Sequence, residues 1–240
     1  MSKNSVETYS IGSDGRTTCI NLGEHESISL EMQKDANKKV ILTSSELKSI
    51  SNIEIILNEN SKLDLLMGLF GMSNDINLEI HLNGFNSDVH LKILSIADNC
   101  KHCADINVTH NSKNSKSNIL ATVIANNDSH VTINSIVSIK NGKKGSISFQ
   151  KIVGNILDAK SIIIANPVLL IDEYDVQAGH GASIGSINEE VLFYLMSRGI
   201  SRIEAKGILL QSVVNPFINL VDDENLKQEI SDRIQVISNA

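Results

Sequence analysis

Gln177-Ala-Gly-His-Gly-Ala-Ser-Ile-Gly185, followed by Leu192-Phe-Tyr-Leu-Met-Ser-Arg-Gly-Ile200, is where this chain changes its period. Everything before it alternates apolar and polar residues at a spacing of two, and everything after it repeats at helical spacing. Gly179 and Gly181 flank His180 and predict a sharp turn that leaves the imidazole uncrowded. An acidic trio, Asp172, Glu173 and Asp175, precedes the turn at the end of an apolar run, Val168-Leu-Leu-Ile171.

Upstream, from about Arg16 to Ile171, short runs such as Leu78-Glu-Ile-His-Leu82, Val89-His-Leu-Lys-Ile93 and Ile162-Ile-Ile164 read as strands with one face on a core. Asn83, Asn99, Asn111, Asn126, Asn141, Asn155 and Asn166 punctuate them. This rhythm fits either a β-sandwich or a coil-by-coil β-solenoid. Only two prolines occur, and tight two-residue hairpin signals are sparse. Asparagine tolerates left-handed backbone and stacks in ladders between coils, which tilts the pattern towards the solenoid.

Downstream, Ser186-Ile-Asn-Glu189 and Ser201-Arg-Ile-Glu204 both read as capping boxes opening helices. Arg198-Gly199 closes the first helix, and Pro216 is expected to end or kink the second. Leu226, Ile230, Ile234 and Ile237 form one stripe of a third helix, with Lys227, Glu229, Asp232 and Arg233 towards water. The expected domains are therefore a β core over 1–185 and a helical unit over 186–240.

Composition removes several classes of function. Hydrophobic residues make up 41% of the 240 positions, but aromatics only 3%, and tryptophan is absent, so the core is built from Ile, Val and Leu. A formal net charge of -7 argues against a grip on phosphate backbones, so nucleic acid is not an expected partner. The apolar runs are too short to span a bilayer, and no signal peptide is visible, so no membrane partner and a cytoplasmic location are expected. Three cysteines do not make a disulfide framework.

The ordered string from the acidic strand end through His180-Gly-Ala182, Glu189-Glu190, Phe193-Tyr-Leu195 and Ser197-Arg-Gly-Ile200 resembles the C-terminal signature of the SufB/SufD family, the scaffold subunits of SUF iron–sulfur cluster assembly. The likeness runs from about Thr17 to Val221. It implies a mainly β fold, a right-handed parallel β-helix (β-solenoid) followed by a small C-terminal α-helical domain. Because the β pattern starts almost immediately, the larger helical domain that many relatives carry before the β-helix is expected to be missing. The resemblance also implies a scaffold rather than an enzyme, with a transient iron–sulfur cluster at an interface with a homologous chain or a second copy of itself. In SufD-like relatives the histidine matching His180 lies in that interface, and an acid often stands where Asp175 does. A SufC-like ABC ATPase is the further implied partner, docked by the C-terminal helices. Ala205, Leu209, Leu210, Val213 and Phe217 are the expected contacts, and ATP hydrolysis belongs to that partner, since this chain has no P-loop and no nucleotide site of its own.

The sequence departs from the family in its thiols. Ala178 stands where SufD-like relatives often carry cysteine, and no cysteine follows Cys103, although thiolate is the usual cluster ligand. The chain therefore looks more like the SufD partner, or like a reduced single-type scaffold that relies on His180 and carboxylates. Cys100-Lys-His-Cys103 is half a zinc or redox motif with no second half, and a plain metal-binding protein built on this pair is one alternative reading. A β-helix carbohydrate-active enzyme is the other, for which three tyrosines and no tryptophan are poor equipment. His110 is expected to be a coil-turn residue hydrogen-bonded to the neighbouring coil. His25, His81, His90, His102 and His130 show no spacing that converges on a metal.

Overall fold

The computed structural model describes residues 7–12, 16–22, 27–44 and 49–239. Fourteen strands alternate between two parallel seven-stranded sheets. The odd sheet is built from β1 (Glu7–Ile11), β3 (Ser27–Met32), β5 (Ser49–Leu57), β7 (Ser73–Leu82), β9 (Lys101–His110), β11 (His130–Ile139) and β13 (Ile162–Ile171). The even sheet is built from β2 (Thr18–Asn21), β4 (Asn37–Ser44), β6 (Lys62–Leu69), β8 (Asp88–Asp98), β10 (Lys116–Asn126), β12 (Ser146–Ile156) and β14 (Val176–Ser186). Consecutive strands lie in opposite sheets, and each strand pairs with the one two places on. The fold is a parallel β-solenoid, as the resemblance implied.

Alternation dictates the interior. In β7 and β9 every second residue is buried, and these side chains meet those of the even sheet in one core from Ile11 to Ile163. Burying a Leu- or Ile-sized side chain is worth roughly 2 kcal/mol, and stacked coils repeat that gain at every level.

The turns obey a repeat that single asparagines do not reveal. Asn60-Ser61, Asn86-Ser87, Asn114-Ser115 and Asp128-Ser129 share one device. The Asn or Asp takes a positive φ, and the following serine hydroxyl donates to the carbonyl three residues back. Of the seven asparagines read as punctuation, Asn99 alone is left-handed. Asn155 and Asn166 lie inside β12 and β13 instead. Ladders do form: Asn166 donates to Asn134, Asn134 to Asp105, and Asn111 to Asn83, each across one coil. The Asn-Ser dipeptide alone does not mark the coil period, since Asn111 and Asn134 also precede serine and neither is left-handed.

Helices α1 (Glu189–Ser197), α2 (Arg202–Ile218) and α3 (Glu224–Asn239) follow. Ser201 and Glu204 make the expected capping box. The cap of α1 is Asn188 rather than Ser186, because β14 keeps Ser186 in its ladder. Pro216 sits inside α2, which ends two residues later at Ile218. The stripe Leu226, Ile230, Ile234 and Ile237 is buried as read. It meets Leu210, Val214 and Phe217 of α2 and the outward residues Ile41, Leu66, Leu94, Ile96 and Ile124 of the even sheet. That covering explains why the second half of β8 is buried on both faces. Arg233 locks the contact, donating to the Phe70 carbonyl at 2.8 Å with its guanidinium 5.5 Å from the Phe70 ring centre.

Candidate functional site

The helices cover one flank of the solenoid and leave its last coil open. Among the described residues β13 pairs only with β11, and β14 only with β12, so both sheets end in a bare strand at the same face. Inward positions there, including Ala165, Leu169, Ile171, Val176 and Ala178, are partly buried where their counterparts one coil below are fully so.

His180 belongs to this face. The glycine-flanked stretch is not a turn but the middle of strand β14, and neither Gly179 nor Gly181 takes a positive φ. Parallel pairing with β12 over eleven residues holds it straight. Register places His180 beside Gln150, whose neighbours in the row are Ile119, Leu91, Leu65 and Val40, all interior positions. The imidazole therefore stands on the inward side of the sheet, yet exposed, because no coil lies above it. On the opposite, outward side of the same sheet Asn118, Phe149, Lys151, Gly181 and Ser183 line a cavity of about 500 Å³. A side chain at Gly179 would crowd the Phe149 ring at 3.3 Å, which is the local reason for that glycine.

The acidic trio does not join the histidine. Glu173 is buried and accepts backbone N–H bonds from Gly142, Tyr174 and Asp175. Burial pushes its carboxyl up, but these donors and nearby Lys144 outweigh that and hold it below the usual range. It organises the β13–β14 turn. Asp175 is exposed at the foot of β14, and five residues of extended chain put it about 16 Å from His180. The pair cannot serve one ion within a single chain. Among the described residues no three His, Cys, Asp or Glu side chains gather in a metal-holding arrangement.

Cys100 and Cys103 are free and half-buried. Burial is the main cause that pushes both thiols up, so they stay protonated at neutral pH. Alternation turns His102 inward and Cys103 outward. The Gly71 carbonyl, 2.7 Å from His102 Nε2, can only accept, so Nε2 carries the proton and Nδ1 accepts from Ser95 at 2.8 Å. With both ring nitrogens committed, the motif does not converge on a metal. His110 is likewise interior, bonded to Ser115 at 2.7 Å and Ser117 at 2.9 Å, and burial lowers its pKa to about 4. Both serines belong to its own coil, and they reach the next coil through Ser146 and Ser148. His81, His90 and His130 lie on outer faces near Glu54, Asp64 and Asp88, and Asp128 respectively. His25 falls outside the described residues.

The residues expected to contact an ATPase are largely covered. Ala205, Leu210 and Phe217 are buried, and Leu209 and Val213 half-buried. They hold the helices to one another and to the solenoid. α2 is apolar around most of its circumference, so the sequence could not say which side faces the core. The exposed apolar surface lies on the other side: Val191, Phe193, Tyr194 and Met196 of α1, with Ile203 and Ile208 of α2. Phe193 is 72% exposed.

Comparison with known proteins agrees with this architecture. A family model described as "SUF system FeS cluster assembly, SufBD core domain" matches residues 15–213. The iron–sulfur cluster assembly protein SufD of Bacillus subtilis is 28% identical over 174 residues, 71% of this chain and 40% of that protein. SufD of Escherichia coli is 28% identical over 160 residues, 66% of this chain and 38% of that protein. An iron–sulfur cluster assembly SufBD family protein of Mycobacterium tuberculosis is 33% identical over 107 residues, 45% of this chain and 13% of that protein. The chain thus spans two-fifths or less of the length of these relatives. Among the described residues no helix is long and apolar enough to cross a membrane. With its core domain matched over most of its length, the chain belongs to the SufBD family of iron–sulfur cluster assembly proteins.

Proposed function

We propose that this chain is a non-catalytic scaffold subunit of a cytoplasmic iron–sulfur assembly complex. It pairs through its open end with a homologous chain or a second copy of itself. Its helices carry a SufC-like ABC ATPase. The observation that bears the reading is that both sheets terminate at one face in unpaired strands, and that His180 is exposed within it.

Bare parallel edges invite strand addition. Ile162 and Asp172 donate to Ser129 and Ile139 of the neighbouring coil, so the even-numbered residues of β13 face β11 and the odd-numbered ones face the open edge. Pro167 is odd-numbered and has no N–H to offer there. That blunts the middle of β13 and favours β14 as the strand that accepts a partner. An antiparallel partner strand on β14 would bring its own residues within reach of His180. This matters because one imidazole is a quarter of a usual cluster ligand set, and the carboxylates of the same chain lie too far away. The cluster is cargo, built transiently across the seam. Asp175, at the rim, is placed to face the partner rather than its own histidine.

The ATPase docks on the exposed face of α1 and α2, where Phe193, Tyr194, Ile203 and Ile208 offer apolar surface without a packing role. Nucleotide-driven closure of the ATPase then moves one scaffold against the other and opens the seam.

Affinity capture of the tagged chain from its host tests this. Recovery of both an ABC-type ATPase and a second scaffold chain is expected, with the scaffold lost from a Leu170→Asp/Ile184→Asp variant and the ATPase from a Phe193→Ala/Ile203→Ala variant. Capture of neither partner by the wild-type chain would overturn the reading.

A further inference from the structure

Two facing interior rows are apolar up to the coil beneath the open face. Val40, Leu65, Leu91 and Ile119 stack in register, and the row then continues into Gln150 and His180. In the facing sheet the row Ile53, Leu78 and Ile106 continues into Ser135. Both rows turn polar at the same level, one coil beneath the open face.

Gln150 is only 3% exposed. A buried primary amide is costly unless both its ends are bonded. Both are: Ser135 Oγ donates to Oε1 at 2.5 Å, and Nε2 donates to the Val168 carbonyl at 2.9 Å. Ser135 lies on β11 and Val168 on β13, so one side chain crosses the interior and fastens the even sheet to the odd one. A Leu in its place would fill similar volume, but apolar contact has no direction and permits sliding. Two bonds to fixed backbone and side-chain groups do not.

We infer that Gln150, clamped by Ser135 and Val168, is a positioning residue for His180. It sets the separation of the β13 and β14 edges and gives the imidazole an immobile floor one strand spacing away, about 4.8 Å. The inference rests on the reading of His180 as the group that the end face presents.

The test uses the full chain with isotope-labelled histidine. The His180 ring signals are those missing from His180→Ala. In the wild type, three-bond couplings should report one χ1 rotamer. In Gln150→Leu, with its circular dichroism and cooperative melt retained, the couplings should be averaged over rotamers. Unchanged couplings in the folded variant overturn the proposal. If Gln150→Leu does not fold, Ser135→Ala decides on the same terms, because it removes only one clamp. Cluster formation in the reconstituted complex should fall about tenfold in Gln150→Leu, the usual effect of removing a group that orients a ligand. Full cluster formation by His180→Ala would remove the functional reading and leave the rotamer result standing, so the two failures are distinguishable.

Discussion

His180 stands over Gln150 in the register of β14 on β12, and not beside Asp175, which lies at the foot of the same strand. On the proposed reading, the ligands beside this imidazole come from another chain. Replacing Asp175 with Asn should leave iron loading of the isolated chain unchanged and alter only the paired complex. Anaerobic iron titration of both forms checks this, and an effect on the isolated chain would contradict it.

The paired face should be separable from the fold. Leu170, 54% exposed, and Ile184, 41% exposed, border the open edges, Ile184 also packing over Gly154 beside the core residue Ile163. Aspartate at both positions should leave the isolated chain folded at a cost of about 1–2 kcal/mol, carried mainly by Ile184. It should abolish pairing in sedimentation velocity. Pairing that survives both charges would place the seam elsewhere.

The two sides of α2 make opposite predictions. Phe217 is 5% exposed and packed between α3 and the even sheet, so Phe217→Ala should cost about 3–5 kcal/mol of stability. Ile203, 52% exposed, should cost little when changed to Ala, and should instead weaken ATPase binding. Denaturant melts and titration calorimetry on the two variants distinguish packing from docking.

Burial lowers the His110 pKa to about 4, and burial also lowers that of His102. A depressed histidine contributes stability that is complete above its unfolded value of about 6.5. That contribution is lost as pH falls towards the folded value. Urea midpoints should therefore be level above about pH 6.5 and decline below it, with His110 alone accounting for roughly 2 kcal/mol at pH 5. A His110→Leu variant should show a shallower decline.

Much of the fold was legible because alternation and helical stripes are local signals. The buried set of α3 and the Ser201–Glu204 cap needed nothing beyond the sequence. The solenoid needed the family resemblance, since period-two runs pair equally well in a sandwich. What misled was glycine. Gly179 and Gly181 look like a turn, but eleven residues of parallel pairing override that propensity, and Gly179 serves the Phe149 ring instead. The coil period sits at left-handed corners such as Asn60, Asn86 and Asn114, hidden among the many asparagines, Asn111 and Asn134 before serine included, that only build ladders. The exposed apolar face of α1 and α2 escaped because α2 is apolar on nearly every side, and only the position of the even sheet decides which residues remain outside.

The left-handed turns allow a small, sharp check. Asn86 takes φ 55° and donates to Asn60 at 3.1 Å. Asn86→Ala should cost about 1–2 kcal/mol from the left-handed backbone, over and above the lost bond. Asn86→Gly loses the same bond without that strain and should be the more stable of the two. Equal losses would mean that the backbone conformation carries no cost.

The most direct measurement is anaerobic reconstitution of the chain with its scaffold partner and ABC ATPase, comparing wild type with His180→Ala by visible absorption. Charge-transfer bands in the wild type that are largely absent from the variant, with both complexes intact by size, are the expected result. Bands of equal strength in the two would contradict the assignment of cluster building to the open end of the solenoid.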